Sequence, residues 1–278
     1  MLDRKARVKT LRDLGAGNYL LTLHSPEQAR LTQPGQFVML KCATDINAPP
    51  LLRRPFTVFD VHPHPKTGRP TGLDLLVKDV GIGTHSLAAM RAGDELQVLG
   101  PQGRPFQVSS EMRHRLRFGA LVAGGVGIAA LLLLARRLLG LEITPVLFYG
   151  GRTRQDLVLR EAFEGLGLQT FYTTEDGSLG ERGVVTAPLE PFLQKHVRHG
   201  IRLYACGPWG MMKAVHALAA RYEVICEVSL EARMGCSLGA CMGCVIRSRD
   251  GEDGQFIRVC QEGPVMDSAV VDWEMPPL

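Results

Sequence analysis

At 278 residues with 45% hydrophobic content, the chain is long enough for two or three domains, each with its own core. Its 32 basic and 28 acidic residues leave a formal charge of +4, too weak and too mixed to mark a nucleic-acid or membrane-surface binder. No continuous apolar run follows Met1, so no secretory leader is evident and the cytoplasm is the expected compartment. The apolar run Ile128 to Leu134 is closed by Arg136 and Arg137. It falls far short of the roughly 20 residues that span a bilayer and reads as a buried helix.

The first hundred residues carry short alternating segments: Tyr19 to Leu23, Gln36 to Leu40, Leu73 to Val77 and Glu95 to Val98. Gly and Pro separate them at Pro34-Gly35, Pro49-Pro50 and Gly100-Pro101. Regular short strands between turns predict an antiparallel barrel over 1–106. Two features within it look chemical. Arg53-Arg54-Pro55-Phe56-Thr57 sets a cation, a ring and a hydroxyl at the start of a strand, and Gly81-Ile-Gly83-Thr84 leads into a short helix with Thr84 expected as its N-cap. Free N–H groups at such a start suit a phosphate, although a plain strand-to-helix turn has the same composition.

Together, Arg54 to Thr57, the strand end Leu76-Val77-Lys78 and Gly83-Thr84 resemble the FAD-binding elements of the ferredoxin reductase superfamily. The resemblance implies a Greek-key flavin barrel in which Arg54 neutralises the pyrophosphate and Pro55 and Phe56 lie near the flavin. It further implies that Thr57 turns its hydroxyl to the reactive edge, with a catalytic role, and that Leu76, Val77, Lys78, Gly83 and Thr84 complete the site. Thr57 stands where that superfamily usually has Ser, and keeps the hydroxyl.

Residues 107–225 change character. The connection Arg113-His-Arg115-Leu-Arg117 reads as a solvated link; Phe118 to Ala123 then reads as a buried strand, followed by Gly124-Gly125-Val-Gly127-Ile-Ala-Ala130 and a helix over 129–139. Gly125-x-Gly127-x-x-Ala130 in a strand, turn and helix context fits the dinucleotide fingerprint: tight turn, close approach to pyrophosphate, close helix packing. Further strands at Thr144 to Tyr149, Leu168 to Tyr172 and Arg202 to Ala205, with helices at Asp156 to Phe163 and Met211 to Arg221, predict a doubly wound parallel sheet. The acid that usually ends the second strand is absent, for that strand runs into Gly150-Gly151-Arg152-Thr153-Arg154. Both NAD and NADP therefore remain open. Cys206-Gly207-Pro208, followed by Met211-Met212, resembles the reductase superfamily's element beside the nicotinamide, which implies a catalytic place for Cys206; the plain alternative is a buried thiol and core methionines. Trp209 inside that turn is unusual for the element.

Residues 226–278 open on a strand-like run, Ile225 to Leu230, and then carry Cys236-x4-Cys241-x2-Cys244, with Cys260 fifteen residues further on. This is the ligand spacing of a plant-type 2Fe-2S cluster. Structural zinc favours two matched C-x2-C ends, and disulfides fit poorly between cysteines three and five apart in a Gly-rich loop. Val245 to Arg247 and Phe256 to Val259 are expected to pair as a hairpin across Asp250-Gly251 and so return Cys260 to the other three.

The order barrel, nucleotide domain, cluster module is similar over nearly the whole chain to the electron-transfer subunits of NAD-dependent (type B) dihydroorotate dehydrogenases. Ser229 to Met234, Glu175 to Gly183 and Val259 to Val265 add to that resemblance. It implies a chain with FAD, a 2Fe-2S cluster and an exchangeable NAD or NADP. The implied partner is an FMN-containing dihydroorotate dehydrogenase catalytic subunit, two of each, with neither nucleic acid nor membrane involved. Reductase subunits serving sulfur or ferredoxin, a zinc-holding binding module, and a redox sensor stand as alternatives.

Overall fold

The structure, a computed structural model, describes residues 1–42, 49–249 and 255–277. The expected Asp250-Gly251 turn lies outside them. The chain opens with β1 (Leu2–Gly15), β2 (Asn18–His24), α1 (Pro26–Leu31), β3 (Phe37–Leu40), β4 (Arg54–Pro63), β5 (Pro70–Lys78), α2 (Ile82–Ala88) and β6 (Glu95–Gln102). The six strands close an antiparallel barrel in the order β1-β2-β5-β4-β3-β6. β1 is one strand to which its charge-rich sequence assigns no element. Only Ala6 and Val8 of it are buried, so apolar alternation is short, while β2 and β6 satisfy its backbone on both sides.

The second half begins with β7 (Phe118–Gly124), a 3-10 helix over Gly125–Ala130, and α3 (Leu132–Leu139). It continues with β8 (Thr144–Gly151), α4 (Arg160–Glu164), β9 (Gln169–Thr174), β10 (Glu181–Arg182), α5 (Thr186–His196), β11 (Ile201–Cys206), α6 (Trp209–Arg221) and β12 (Cys226–Ser229). The sheet order is β10-β9-β8-β7-β11-β12, parallel throughout. Alternate β7 residues pack on opposite faces, Ala120 and Val122 with α5 and α6, Leu121 and Ala123 with α3 and α4. The sheet is therefore doubly wound, as expected. Its order reverses between β7 and β11, the point where ligands enter such folds.

Two expected helices differ from the sequence reading. The segment 129–139 starts as a tight 3-10 coil at Gly125, where Gly127 packs onto the end of β11. The segment 156–163 is broken, because Leu157, Val158 and Leu159 are all buried and no single helix face can bury three residues in a row; Leu159 turns at φ +57° and α4 starts after it.

The remaining strands are β13 (Val245–Arg247), β14 (Phe256–Arg258) and β15 (Val265–Asp267). β13 and β14 pair as expected, Ile246 opposite Ile257. The limit expected at 225/226 falls inside the large sheet: β12 is its sixth strand, and β15 adds to β12 as an antiparallel edge. Cys244, Cys260 and Trp273 share one core with Phe37 and Met39 of the barrel and Val122 of the sheet. Burial against both other parts orders the C-terminal segment. No helix among the described residues is long and apolar enough to cross a membrane.

Candidate functional site

β4 and β5 build one wall of a cavity of about 990 Å³. Strand alternation turns Leu76 and Lys78 towards it and puts Val77, fully buried, in the barrel core. Val77 can therefore offer only its backbone. Arg54, Pro55, Phe56 and Thr57 all reach the cavity, and the Arg54 guanidinium is held by the carbonyls of Leu52 and Arg53, at 3.0 and 3.3 Å. Arg53 faces away, in an ion pair with Asp3 at 2.8 Å. Gly83, packed beside the Arg54 side chain, and Thr84 line the cavity too, but Thr84 is not the N-cap. It lies in the first turn of α2, and its Oγ1 accepts from the N–H groups of Val80 and Gly81 at 2.9 and 3.0 Å. These two donors are thereby engaged by the chain itself.

The opposite wall of this cavity is the cysteine loop, with Met234, Gly235, Cys241 and Gly243. Here the N–H groups of Leu238 and Cys241 point at Cys236 Sγ at 3.3 and 3.4 Å, and that of Gly243 at Cys241 Sγ at 3.4 Å. Backbone donors aimed at sulfur stabilise thiolate, and those of Leu238 and Cys241 lower the Cys236 thiol to about 6. Positive φ at Ser237, Gly239 and Met242 brings these donors inward. The thiols form two neighbouring pairs, Cys236 with Cys241 and Cys244 with Cys260. Among the described residues no three metal-binding side chains converge on one point. Two pairs match two irons with two thiolates each, whereas tetrahedral zinc needs all four sulfurs on one centre. The donor set fits the two-iron cluster.

Residues for which sequence spacing offered no physical reason hold this loop. Gln261 donates to Ser237 O at 3.0 Å, and Arg258, paired with Glu262, reaches Gly239 O at 3.4 Å.

A second cavity, of about 630 Å³, opens at the sheet's reversal point and takes in Gly124, Gly125, Gly127, Gly207 and Pro208. A Cβ on Gly127 would overlap the Cys206 carbonyl, and one on Gly124 would meet Pro208 and Met211. These two glycines thus serve the packing of β7 against β11, and Gly125, at φ +51°, makes the turn. Cys206 is 2% exposed, and its neighbours rather than its thiol line the cavity. Burial pushes that thiol far up. Trp209 lines the cavity and is tied back by its indole N–H to Trp273 O at 3.1 Å.

Lys78, Val126, Glu231 and Pro277 line both cavities. Glu231 keeps solvent access along the cleft, yet the surrounding walls raise its carboxyl above the usual range. In the sequence it stands only within Ser229–Met234, a stretch of family resemblance with no role attached to it.

Residues 231–272 match the family model described as the iron-sulfur cluster binding domain of dihydroorotate dehydrogenase B, and 121–217 the oxidoreductase NAD-binding domain. The dihydroorotate dehydrogenase B (NAD(+)) electron transfer subunit of Caldanaerobacter subterraneus is 34% identical over 94% of this chain and 95% of its own length. That of Desulforamulus reducens is 34% identical over 97% and 98%. The chain belongs to the dihydroorotate dehydrogenase B electron-transfer subunit family. A solved structure of an NADH-dependent reduced ferredoxin-NADP oxidoreductase, studied for flavin-based electron bifurcation, overlays with a TM-score of 0.78 at 29% identity, covering 97% of this chain and 90% of that one. For this family member the fold, the cluster domain and the NAD-binding domain thus agree with the expectations from sequence, and the cluster-domain match begins five residues after the expected limit at 226.

Proposed function

We propose that this chain is the electron-transfer subunit of a dihydroorotate dehydrogenase, passing electrons from a partner FMN subunit through a 2Fe-2S cluster and FAD to NAD+ in pyrimidine biosynthesis. One observation carries the reading: the Arg54–Thr57 wall and the Cys241 loop face each other across a single cavity, which shares four lining residues with the cavity at Gly125 and Gly207. Cluster, flavin and nucleotide chemistry would thereby lie within one continuous cleft. A nucleotide exchanges two electrons as hydride and a cluster carries one, and bound FAD supplies the conversion between them.

Arg54 offers the cation for a pyrophosphate, Thr57 a hydroxyl at the cavity wall, and Leu76 and Phe56 the apolar surface for a ring system. Gly125 and Gly127 leave the nucleotide loop bare of side chains, and Gly207 and Pro208 form the floor beside it. The four cysteines hold the cluster. The partner is read as the FMN-containing catalytic subunit, two copies of each chain. The ferredoxin-linked structural neighbour supports a second reading, a reductase subunit serving ferredoxin. Electron transfer to each candidate partner separates the two.

The test is an anaerobic absorption and low-temperature EPR spectrum before and after NADH, with iron, sulfide and flavin quantified. A two-iron signal and one FAD bleached by NADH are expected; zinc in place of iron, or absence of flavin, overturns the reading. Arg54→Ala is expected to lower FAD occupancy, and full occupancy in that variant removes the barrel assignment.

A further inference from the structure

We propose that the stretch 273–277, latched to Trp209, occupies the passage by which a nicotinamide would reach the flavin-side cavity, so that the nucleotide must displace this strap to bind in full. The inference rests on the nucleotide reading of the smaller cavity. A nucleotide whose pyrophosphate lies at Gly125 can bring its ring against a flavin only across the junction of the two cavities, because reacting atoms must come within about 3–3.5 Å of each other. Four residues line that junction: Lys78, Val126, Glu231 and Pro277.

Three of the four belong to the frame. Lys78 ends β5, Val126 lies in the 3-10 helix after β7, and Glu231 follows Leu230, whose N–H donates to Pro264 O at 2.9 Å. Pro277 is held otherwise. It lies in a stretch that forms neither strand nor helix, it has no N–H to donate, and among the described residues its carbonyl accepts no hydrogen bond. It is nonetheless half-buried, so apolar contact with the junction walls keeps it in place. An incoming apolar ring can replace that contact.

Up to Glu274 the strap is fastened. Trp273 is buried, its indole N–H donates to Ser268 O at 2.9 Å, and its carbonyl accepts from the Trp209 indole at 3.1 Å. The two rings lie 4.7 Å apart, and Glu274 pairs with Lys213 of α6 at 2.8 Å. Beyond this the hold is slight, Arg247 Nη1 against Met275 Sδ at 3.2 Å. Met275 is exposed, and the two prolines after it have a preset φ. A stiff tip therefore turns on an exposed hinge. Its anchor, Trp209, also lines the smaller cavity, which gives a use to the residue that is unusual in its element.

The test is calorimetric binding of NAD+ and of ADP-ribose, which lacks the nicotinamide, to the oxidised holo chain; neither ligand calls for electron transfer. Removal of residues 275–278 is expected to tighten NAD+ binding about fivefold or more and to leave ADP-ribose within about twofold, since a site open for only part of the time binds more weakly by that fraction. Trp209→Phe keeps a ring and loses the donor to Trp273, and is expected to tighten NAD+ binding by about twofold or more. It decides alone if the shortened chain loses FAD or iron. An NAD+ affinity that is unchanged or weaker, or equal changes for both ligands, overturns the proposal and leaves the nucleotide reading standing. Binding of neither ligand to the wild type overturns that reading, and the proposal with it.

Discussion

Gly127 sits where a methyl group would collide with the Cys206 carbonyl, and the collision is with backbone, which cannot rotate away. Gly127→Ala is therefore expected to cost about 1–3 kcal/mol, the range for overpacking, and to raise the KM for NADH as the loop shifts. Urea unfolding and steady-state kinetics check both. His62 gives a pH-dependent case. Its Nε2 lies 2.6 Å from Asp74 Oδ2, and this close carboxylate raises its pKa above 6.5 against the opposing effect of burial. The folded state binds that proton more tightly than the unfolded chain. The pair's contribution is thus fully present below about pH 6.5 and is lost as pH rises through the raised folded value. Asp60 and Arg136 face the same group, so the comparison is with His62→Gln: the wild-type lead in urea midpoint should be larger at about pH 5.5 than at about pH 9. An equal lead at both excludes the linkage. At this scale the cysteines were legible, because their ligand spacing is local. The place of Glu231 was not, beyond its stretch of family resemblance, because it lies beside residues far away in sequence.

Among the elements, α3 joins the halves of the molecule. The apolar run and its closing arginines predict a buried helix, and the structure adds that Arg136 Nη1 pairs with Asp60 Oδ1 of β4 at 2.6 Å. Asp60 is 6% exposed and burial raises its pKa, so loss of the guanidinium leaves a carboxyl without its charge partner. Arg136 is itself 44% exposed in its side chain, and solvent screens part of the pair. Arg136→Met is accordingly expected to destabilise by about 1–2 kcal/mol, below the range for a fully buried pair. An unchanged urea midpoint would show the pair to be neutral. β1 and β15 illustrate the converse. Neither has a strong apolar pattern, and each becomes a strand because a neighbour presents an unpaired edge to it, β2 and β6 for the first, β12 for the second.

Across the whole molecule two cavities with four shared lining residues bring together three separate stretches of the chain, to which the proposed reading gives cluster, flavin and nucleotide. If the cluster stands between the flavin and the partner, Cys241→Ser should leave NADH-dependent dye reduction within about twofold while abolishing transfer to the partner subunit, since one thiolate of a four-thiolate set is lost. Stopped-flow reduction with dye and with partner separates the two steps. Equal loss of both would contradict that order. Cys241 suits the test because it is exposed, on the cavity wall, and its change disturbs no core packing.

Sequence alone determined the parts: cluster spacing, the Arg54–Thr57 run, the glycine loop after β7 and the strand–helix alternation are all short-range patterns, set by ligand geometry, turn conformation and local periodicity. Tertiary structure decided their relations. The continuation of the sheet through β12 and β15 and the broken run before α4 arise where long-range burial overrides local pattern. The two cavities meet only once barrel, sheet and C-terminal segment are packed together, because the four residues they share, Lys78, Val126, Glu231 and Pro277, come from β5, the loop after β7, the segment after β12 and the last described residues.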